Sequence, residues 1–88
     1  MKLKLYDKEY PLKELNSLGR GSHNSVQVIS PLISRSHALV YQEQDQWFVE
    51  DLNSQNGTRV NDRPVLLKAP LRVGDRLTLG NIPLTVEE

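Results

Sequence analysis

The chain contains no cysteine. Disulfide bridges and thiolate metal sites are excluded outright, and the composition fits a reducing compartment. No apolar run approaches the roughly 18 residues that a membrane-crossing helix needs, and the lysine-studded N-terminus lacks the apolar core of a signal peptide. The expectation is a cytoplasmic domain, or the cytosol-facing part of a larger protein, with no membrane insertion. Charge of one sign is not in surplus either: 11 Lys and Arg balance 11 Asp and Glu. A duplex-DNA binder usually advertises a net basic surface, so nucleic acid is disfavoured as the main partner. With 88 residues, and without repeats, low-complexity stretches or internal linkers, residues 1–88 read as a single domain. A chain this small still buries roughly 60% of the surface it exposes when unfolded, enough for one core.

Helical patterning is scarce. "LKELNSL" places Leu12, Leu15 and Leu18 at spacing three, but Pro11 and Gly19 confine any helix there to two turns at most. What is present is alternation with period two, the mark of half-buried strands. It runs through "KLKLY" (2–6), "VQVI" (26–29), "HALVYQ" (37–42), "QWFVEDL" (46–52), "TRV" (58–60), "RLTL" (76–79) and "IPLTV" (82–86). The second pair of long apolar stretches flanks the polar turn "EQDQ" (43–46), and Gly80-Asn81 is a two-residue hairpin signal. Pro83 cannot donate to a ladder, so the last strand is expected at a sheet edge or to begin there. Short strands punctuated by Gly, Pro, Asn and Asp point to an all-β sandwich.

The stretch "LISRSHALV" (32–40) sets Ser34 and His37 three positions apart and raises the question of a nucleophile and its base. The local pattern argues against it. On an extended strand, residues three apart point to opposite faces, and Ser34 has no G-x-S-x-G elbow around it. His23 and His37, with no carboxylate cluster, make a poor metal site. No catalytic residue, metal or cofactor is expected, and His37 reads as a structural histidine that braces a neighbouring loop through a ring nitrogen.

The charge pattern is more informative. No acidic residue lies between Glu14 and Glu43, where Arg20 and Arg35 sit, and none between Asp51 and Asp62, where Arg59 sits. Segments kept free of negative charge suit an anion between them.

Together with "SRSHA", the stretches "LGRG" (18–21), "DLNSQNGTRVN" (51–61) and "LRVGDRLTLG" (71–80) resemble, in order and spacing, the forkhead-associated (FHA) domain. The resemblance covers residues 18 to about 86. It implies a two-sheet β-sandwich of about eleven short, mostly antiparallel strands with binding loops at one end. It also implies a non-catalytic module that recognises phosphothreonine in partner proteins after a serine/threonine kinase has acted. The alternative is a phosphorylation-independent protein–protein docking module on the same fold. By this resemblance Arg20, Ser34 and Arg35 contact the phosphate, and Gln55 stands where relatives carry a shorter hydroxyl or a basic group. Asn56 holds the peptide backbone, Asn61 helps to hold the peptide or a loop, Leu32 bears on peptide specificity, and Gly19, His37 and Gly57 are structural. The chemistry agrees. A phosphothreonine carries about −1.5 to −2 charges and three strong acceptor oxygens. A guanidinium can give such an anion two parallel charge-assisted bonds, and an asparagine can donate to and accept from a peptide backbone at once.

Overall fold

The computed structural model describes residues 1–88. Eleven strands follow one another with no helix: β1 (Lys2–Leu5), β2 (Lys8–Pro11), β3 (Leu15–Gly19), β4 (Val26–Gln27), β5 (Ala38–Glu43), β6 (Gln46–Asp51), β7 (Thr58–Val60), β8 (Arg63–Pro64), β9 (Lys68–Leu71), β10 (Arg76–Leu79) and β11 (Ile82–Glu87). They form two sheets, ordered β2-β1-β11-β10-β7-β8 and β4-β3-β5-β6-β9. All pairings are antiparallel except β3 with β4. No helix is long and apolar enough to cross a membrane.

Period-two alternation explains the two layers. Leu77, Leu79, Leu84 and Val86 from the larger sheet and Leu18, Val40, Val49 and Leu71 from the smaller one belong to a single buried cluster. Their neighbours Ser17, Tyr41, Arg76 and Thr85 face outward to varying degrees. The Leu12/Leu15/Leu18 spacing is resolved as a strand: in β3, Leu18 is buried and Leu15 is 63% exposed, as alternation rather than helical phasing requires.

Two hairpins follow their turn signals. Gln44 and Asp45 both take positive φ, 51° and 65°, between the paired Glu43 and Gln46, the backbone a tight two-residue turn requires. Gly80, at φ 58°, begins the turn between Leu79 and Ile82. Pro83 is the second residue of β11, close to the expected strand start, but it departs from the edge expectation. Strand β11 is central, between β1 and β10. The proline is tolerated because β1 pairs with β11 only at Thr85, Val86 and Glu87, so Pro83 lies beyond the stretch where β1 needs a donor.

Candidate phosphate-binding site

Four connections meet at one end of the sandwich: residues 20–25 after β3, residues 28–37 before β5, residues 52–57 between β6 and β7, and the β10–β11 turn. Backbone hydrogen bonds fasten them together. Arg20 N–H donates to the Ser34 carbonyl at 2.9 Å, Gly21 N–H to that of Arg35 at 3.1 Å, and Gly80 N–H to that of Gly57 at 3.0 Å. Gly19 is packed where the first two connections touch. A Cβ there would meet the Arg35 carbonyl oxygen and would lie 2.8 Å from Asn24 Nδ2, so only glycine lets the chains approach. Gly57 is required for a different reason: its φ is 85° and nothing crowds it.

His37 links the two functional loops. It is fully buried. Its Nδ1 accepts from the Ser34 backbone N–H at 3.0 Å, and Nε2 lies 2.9 Å from the Gly57 carbonyl oxygen. Since Nδ1 accepts, the ring proton sits on Nε2 and donates to Gly57. Both ring nitrogens are therefore used, one more than the sequence reading assigned to bracing.

Around this brace the remaining polar atoms are specifically arranged. Ser34 Oγ accepts from the Gln55 backbone N–H at 3.1 Å, which leaves the hydroxyl proton to be donated outward. It is the backbone of Gln55, not its exposed side chain, that meets Ser34. Asn56 Nδ2 donates to the Leu32 carbonyl at 3.0 Å, so the amide retains an N–H and its carbonyl oxygen for another partner. Arg20 is held by Nε donating to the Ile33 carbonyl at 2.9 Å, which aims the guanidinium while leaving its terminal nitrogens available. Neither Arg20 nor Arg35 forms an ion pair, whereas Arg76 is paired with Asp62 at 2.8 Å. Arg20, Leu32, Ser34, Arg35, Gln55 and Asn56 are thus brought to one surface, with Gly19, His37 and Gly57 behind it.

Asn61 is not brought there. Thr58 begins β7 beside Gly57, and Asn61 follows Val60 at the strand's other end. Its Nδ2 donates to Asp75 Oδ1 at 2.9 Å, and its Oδ1 accepts from the Arg76 backbone N–H at 2.9 Å. With φ at 51°, and Asp62 at 69°, it forms the two-residue turn between the paired Val60 and Arg63. The structure places Asn61 as a turn residue, occupied by its own strand neighbours and at the opposite end of β7 from Asn56. Of the two roles open to Asn61, holding the peptide or a loop, its side-chain bonds favour the loop.

Two residues that the sequence reading did not single out hold the loops in shape. Asp51 Oδ1 accepts from the hydroxyls of Ser54 and Thr58, both at 2.6 Å, and Oδ2 accepts from Ser54 N–H at 3.1 Å. Ser54 Oγ in turn accepts from Gly57 N–H at 3.0 Å. Burial tends to push the Asp51 carboxyl up, but the Ser54 and Thr58 hydroxyls and the Ser54 N–H together hold it below the ordinary carboxylate value. The Asp-x-x-Ser spacing, typical of side chains that fold back onto local backbone, was the available signal. Asn24 donates to the carbonyls of Gly21 and Arg35 at 2.8 and 2.7 Å, clamping the arginine-bearing loop to the serine-bearing one. Its partners are distant in sequence or in irregular backbone, so no spacing rule reveals it.

Known proteins share both the sequence pattern and this architecture. Protein FraH of Nostoc sp. is 43% identical over 53 residues, which are 58% of this chain and 18% of FraH, so the match spans only a small part of that relative. The FHA domain of FhaA, solved in complex with the intracellular domain of Rv3910, superposes with a TM-score of 0.88 at 33% identity, covering 96% of each chain. An FHA domain studied for phosphothreonine-dependent interactions superposes with a TM-score of 0.91 at 33% identity, covering 99% of this chain and 94% of the other. The family model of the FHA domain matches residues 16–80, from the start of the buried part of β3 to the β10–β11 turn and through every loop of the site: the chain belongs to the FHA domain family.

Proposed function

We propose that this domain is a non-catalytic reader of phosphothreonine in partner proteins, acting in the cytoplasm downstream of a serine/threonine kinase. One observation carries the reading. Arg20 and Arg35 stand without carboxylate partners beside a serine whose hydroxyl proton is free to donate, in loops that contain no acidic residue. A phosphate dianion matches that set: the guanidinium fork gives charge-assisted bonds, the hydroxyl adds a short neutral one, and no carboxylate repels the ligand. Asn56, with an N–H and a carbonyl oxygen unspent, grips the backbone beside the phosphothreonine.

The same geometry argues against catalysis. His37 Nδ1 is occupied by the Ser34 backbone N–H and Nε2 by Gly57, so neither nitrogen is available to take the Ser34 hydroxyl proton. The FhaA domain was solved with a partner protein's domain, and a second similar domain was studied for phosphothreonine-dependent interactions, both in keeping with a binding module.

Calorimetric titration with one peptide carrying threonine, phosphoserine or phosphothreonine tests the reading. Only the phosphorylated forms bind measurably, with phosphothreonine the tightest; equal affinity for the unphosphorylated peptide overturns it in favour of phosphorylation-independent docking. Arg20→Ala lowers phosphopeptide affinity about ten- to a hundredfold, since a hydrogen bond to a charged group contributes about 1.5–3 kcal/mol. Undiminished affinity in that variant removes Arg20 from the phosphate site.

A further inference from the structure

Asn56 is the only asparagine in the chain that is followed by glycine. That pairing carries chemistry of its own. A backbone nitrogen that no side chain shields attacks the amide carbon of the asparagine before it. The bond from Gly57 N to Asn56 Cγ forms, the Cγ–Nδ2 bond breaks, and Nδ2 leaves as ammonia with the proton that Gly57 N gives up. Water then opens the cyclic imide at one or other carbonyl and yields aspartate or isoaspartate. Water is the only co-reactant.

The fold leaves this bond open to attack. Asn56 is exposed and lies in irregular backbone between β6 and β7. Gly57 sits at φ 85°, and a Cβ built on it would meet nothing within 4 Å, so the ring has room to close. Its nitrogen belongs to neither sheet and has one partner, Ser54 Oγ at 3.0 Å. Asn16 and Asn24, by contrast, are buried with their amides bonded to backbone carbonyls.

Two hydrogen bonds restrain the reaction. Ring closure calls for particular rotations of the Gly57 peptide and of the Asn56 side chain, and each bond holds one of them. The Ser54 hydroxyl donates to Asp51 Oδ1 at 2.6 Å, which leaves its lone pairs to the Gly57 N–H. The Asn56 amide is held by the Leu32 carbonyl at 3.0 Å.

Conversion changes the phosphate site. Asn56 Nδ2 and Arg20 Nε donate to the carbonyls of two successive residues, Leu32 and Ile33, whose Cα atoms stand about 3.8 Å apart. The two side chains are therefore held on adjoining peptide units. A carboxylate at position 56 brings negative charge into loops that have none, and it repels an arriving phosphate dianion. It also loses the N–H donated to Leu32, so two acceptors face each other where a hydrogen bond had joined the loops. Isoaspartate further adds a methylene to the backbone just ahead of Gly57.

We infer that Asn56 is a site of spontaneous modification that closes the phosphate site, with Ser54 as the group that sets its rate. The chemistry is independent of the phosphothreonine reading; its consequence for binding rests on that reading. A bound phosphopeptide that takes up the free N–H and carbonyl oxygen of Asn56 holds the side chain still and slows the conversion. Idle copies of the domain are then inactivated while engaged copies are spared.

The test is prolonged incubation of the domain at physiological temperature, with and without saturating phosphothreonine peptide, beside the variants Ser54→Ala and Asn61→Ala. Peptide mapping by mass spectrometry follows amide-to-acid conversion at every asparagine and separates isoaspartate from aspartate. Asn56 converts fastest, isoaspartate is among its products, Ser54→Ala raises the rate several-fold, and bound peptide lowers it. Asn61→Ala loosens the Asp75–Arg76 segment without touching this loop, so its rate stays near that of the wild type. Equal acceleration in both variants assigns the effect to general unfolding and overturns the role of Ser54. An Asn56 that converts no faster than the other asparagines overturns the modification site. The converted wild-type fraction, isolated by anion exchange, and a folded Asn56→Asp variant bind phosphopeptide about tenfold or more weakly than the unconverted domain. Undiminished affinity in both overturns the inactivation. Failure of the unconverted wild type to bind phosphothreonine peptide overturns the underlying reading, and the inactivation with it, while conversion at Asn56 is still read by mass.

Discussion

His37→Ala separates a loop brace from a catalytic or ligand-binding histidine. Truncation orphans the Ser34 N–H and the Gly57 carbonyl, which the ring joins at 3.0 and 2.9 Å. An unsatisfied buried group costs about 1–3 kcal/mol. The ring is fully buried, so its removal also leaves a cavity that adds about 1 kcal/mol or more. The combined loss is about 3–7 kcal/mol, a large share of the roughly 5–15 kcal/mol that holds a small domain folded. At about 4–8 °C per kcal/mol for a chain of this size, the melting temperature falls by at least about 12 °C. Thermal unfolding followed by circular dichroism, with calorimetry to check two-state behaviour, measures it. Phosphopeptide affinity falls as well, because Ser34 and the Asn56–Gly57 turn lose their shared restraint. A drop below about 4 °C refutes the reasoning, and unchanged stability with lost binding places His37 among the ligand contacts.

Ser34→Ala removes the hydroxyl we propose as a phosphate donor, while the exposed Gln55 N–H it leaves behind turns to water, so affinity falls about tenfold or more and melting shifts by only a few degrees, as titration and melting of one sample show. Asn61→Ala has the reverse profile. It loses two bonds to the Asp75–Arg76 segment and puts a Cβ-bearing residue without a polar side chain at φ 51°. Stability drops about 1–3 kcal/mol by denaturant titration while phosphopeptide affinity stays within about twofold; a tenfold affinity loss returns Asn61 to the site. For Asp51 the folded carboxyl titrates lower than the unfolded one. Its contribution is therefore fully present above the unfolded value near 4 and is lost as pH falls through the lower folded value. Asp51→Asn accordingly melts well below the wild type at pH 7, and the gap narrows below about pH 4; a gap independent of pH refutes the role of the ionised carboxylate.

The strands that were legible beforehand are those with period-two alternation. Strands β2, β8 and β9 carry Pro11, Pro64 or Pro70 and few alternating apolar residues, and β3 begins with an exposed leucine. These four form because neighbouring strands supply partners: β2 pairs along β1 from Lys2 to Leu5, and β9 pairs along β6 from Trp47 to Glu50. Such help comes through backbone hydrogen bonds, which carry no side-chain pattern. The same limit explains Pro83. The sequence shows a residue unable to donate, but only the register of β1 against β11 shows that no donor is needed there.

Arg20, Ser34 and Asn56 could be singled out as candidates because their side-chain chemistry and local turns are encoded in contiguous stretches. Residue types and near neighbours were enough for the all-β class, the two hairpin turns at residues 44–45 and 80–81, the zero net charge and the acid-free loops. Each of these is set by residue type or by neighbours a few positions apart. Tertiary structure alone decided which atoms are spoken for. It turned Asn61 toward Asp75 and Asn56 toward Leu32, bound both nitrogens of His37 to separate loops, and tied Gln27 to the Arg20 carbonyl. The two asparagines are chemically identical, five positions apart and each in a turn. They differ in which end of β7 they occupy, and that follows from sheet register, which long-range packing sets.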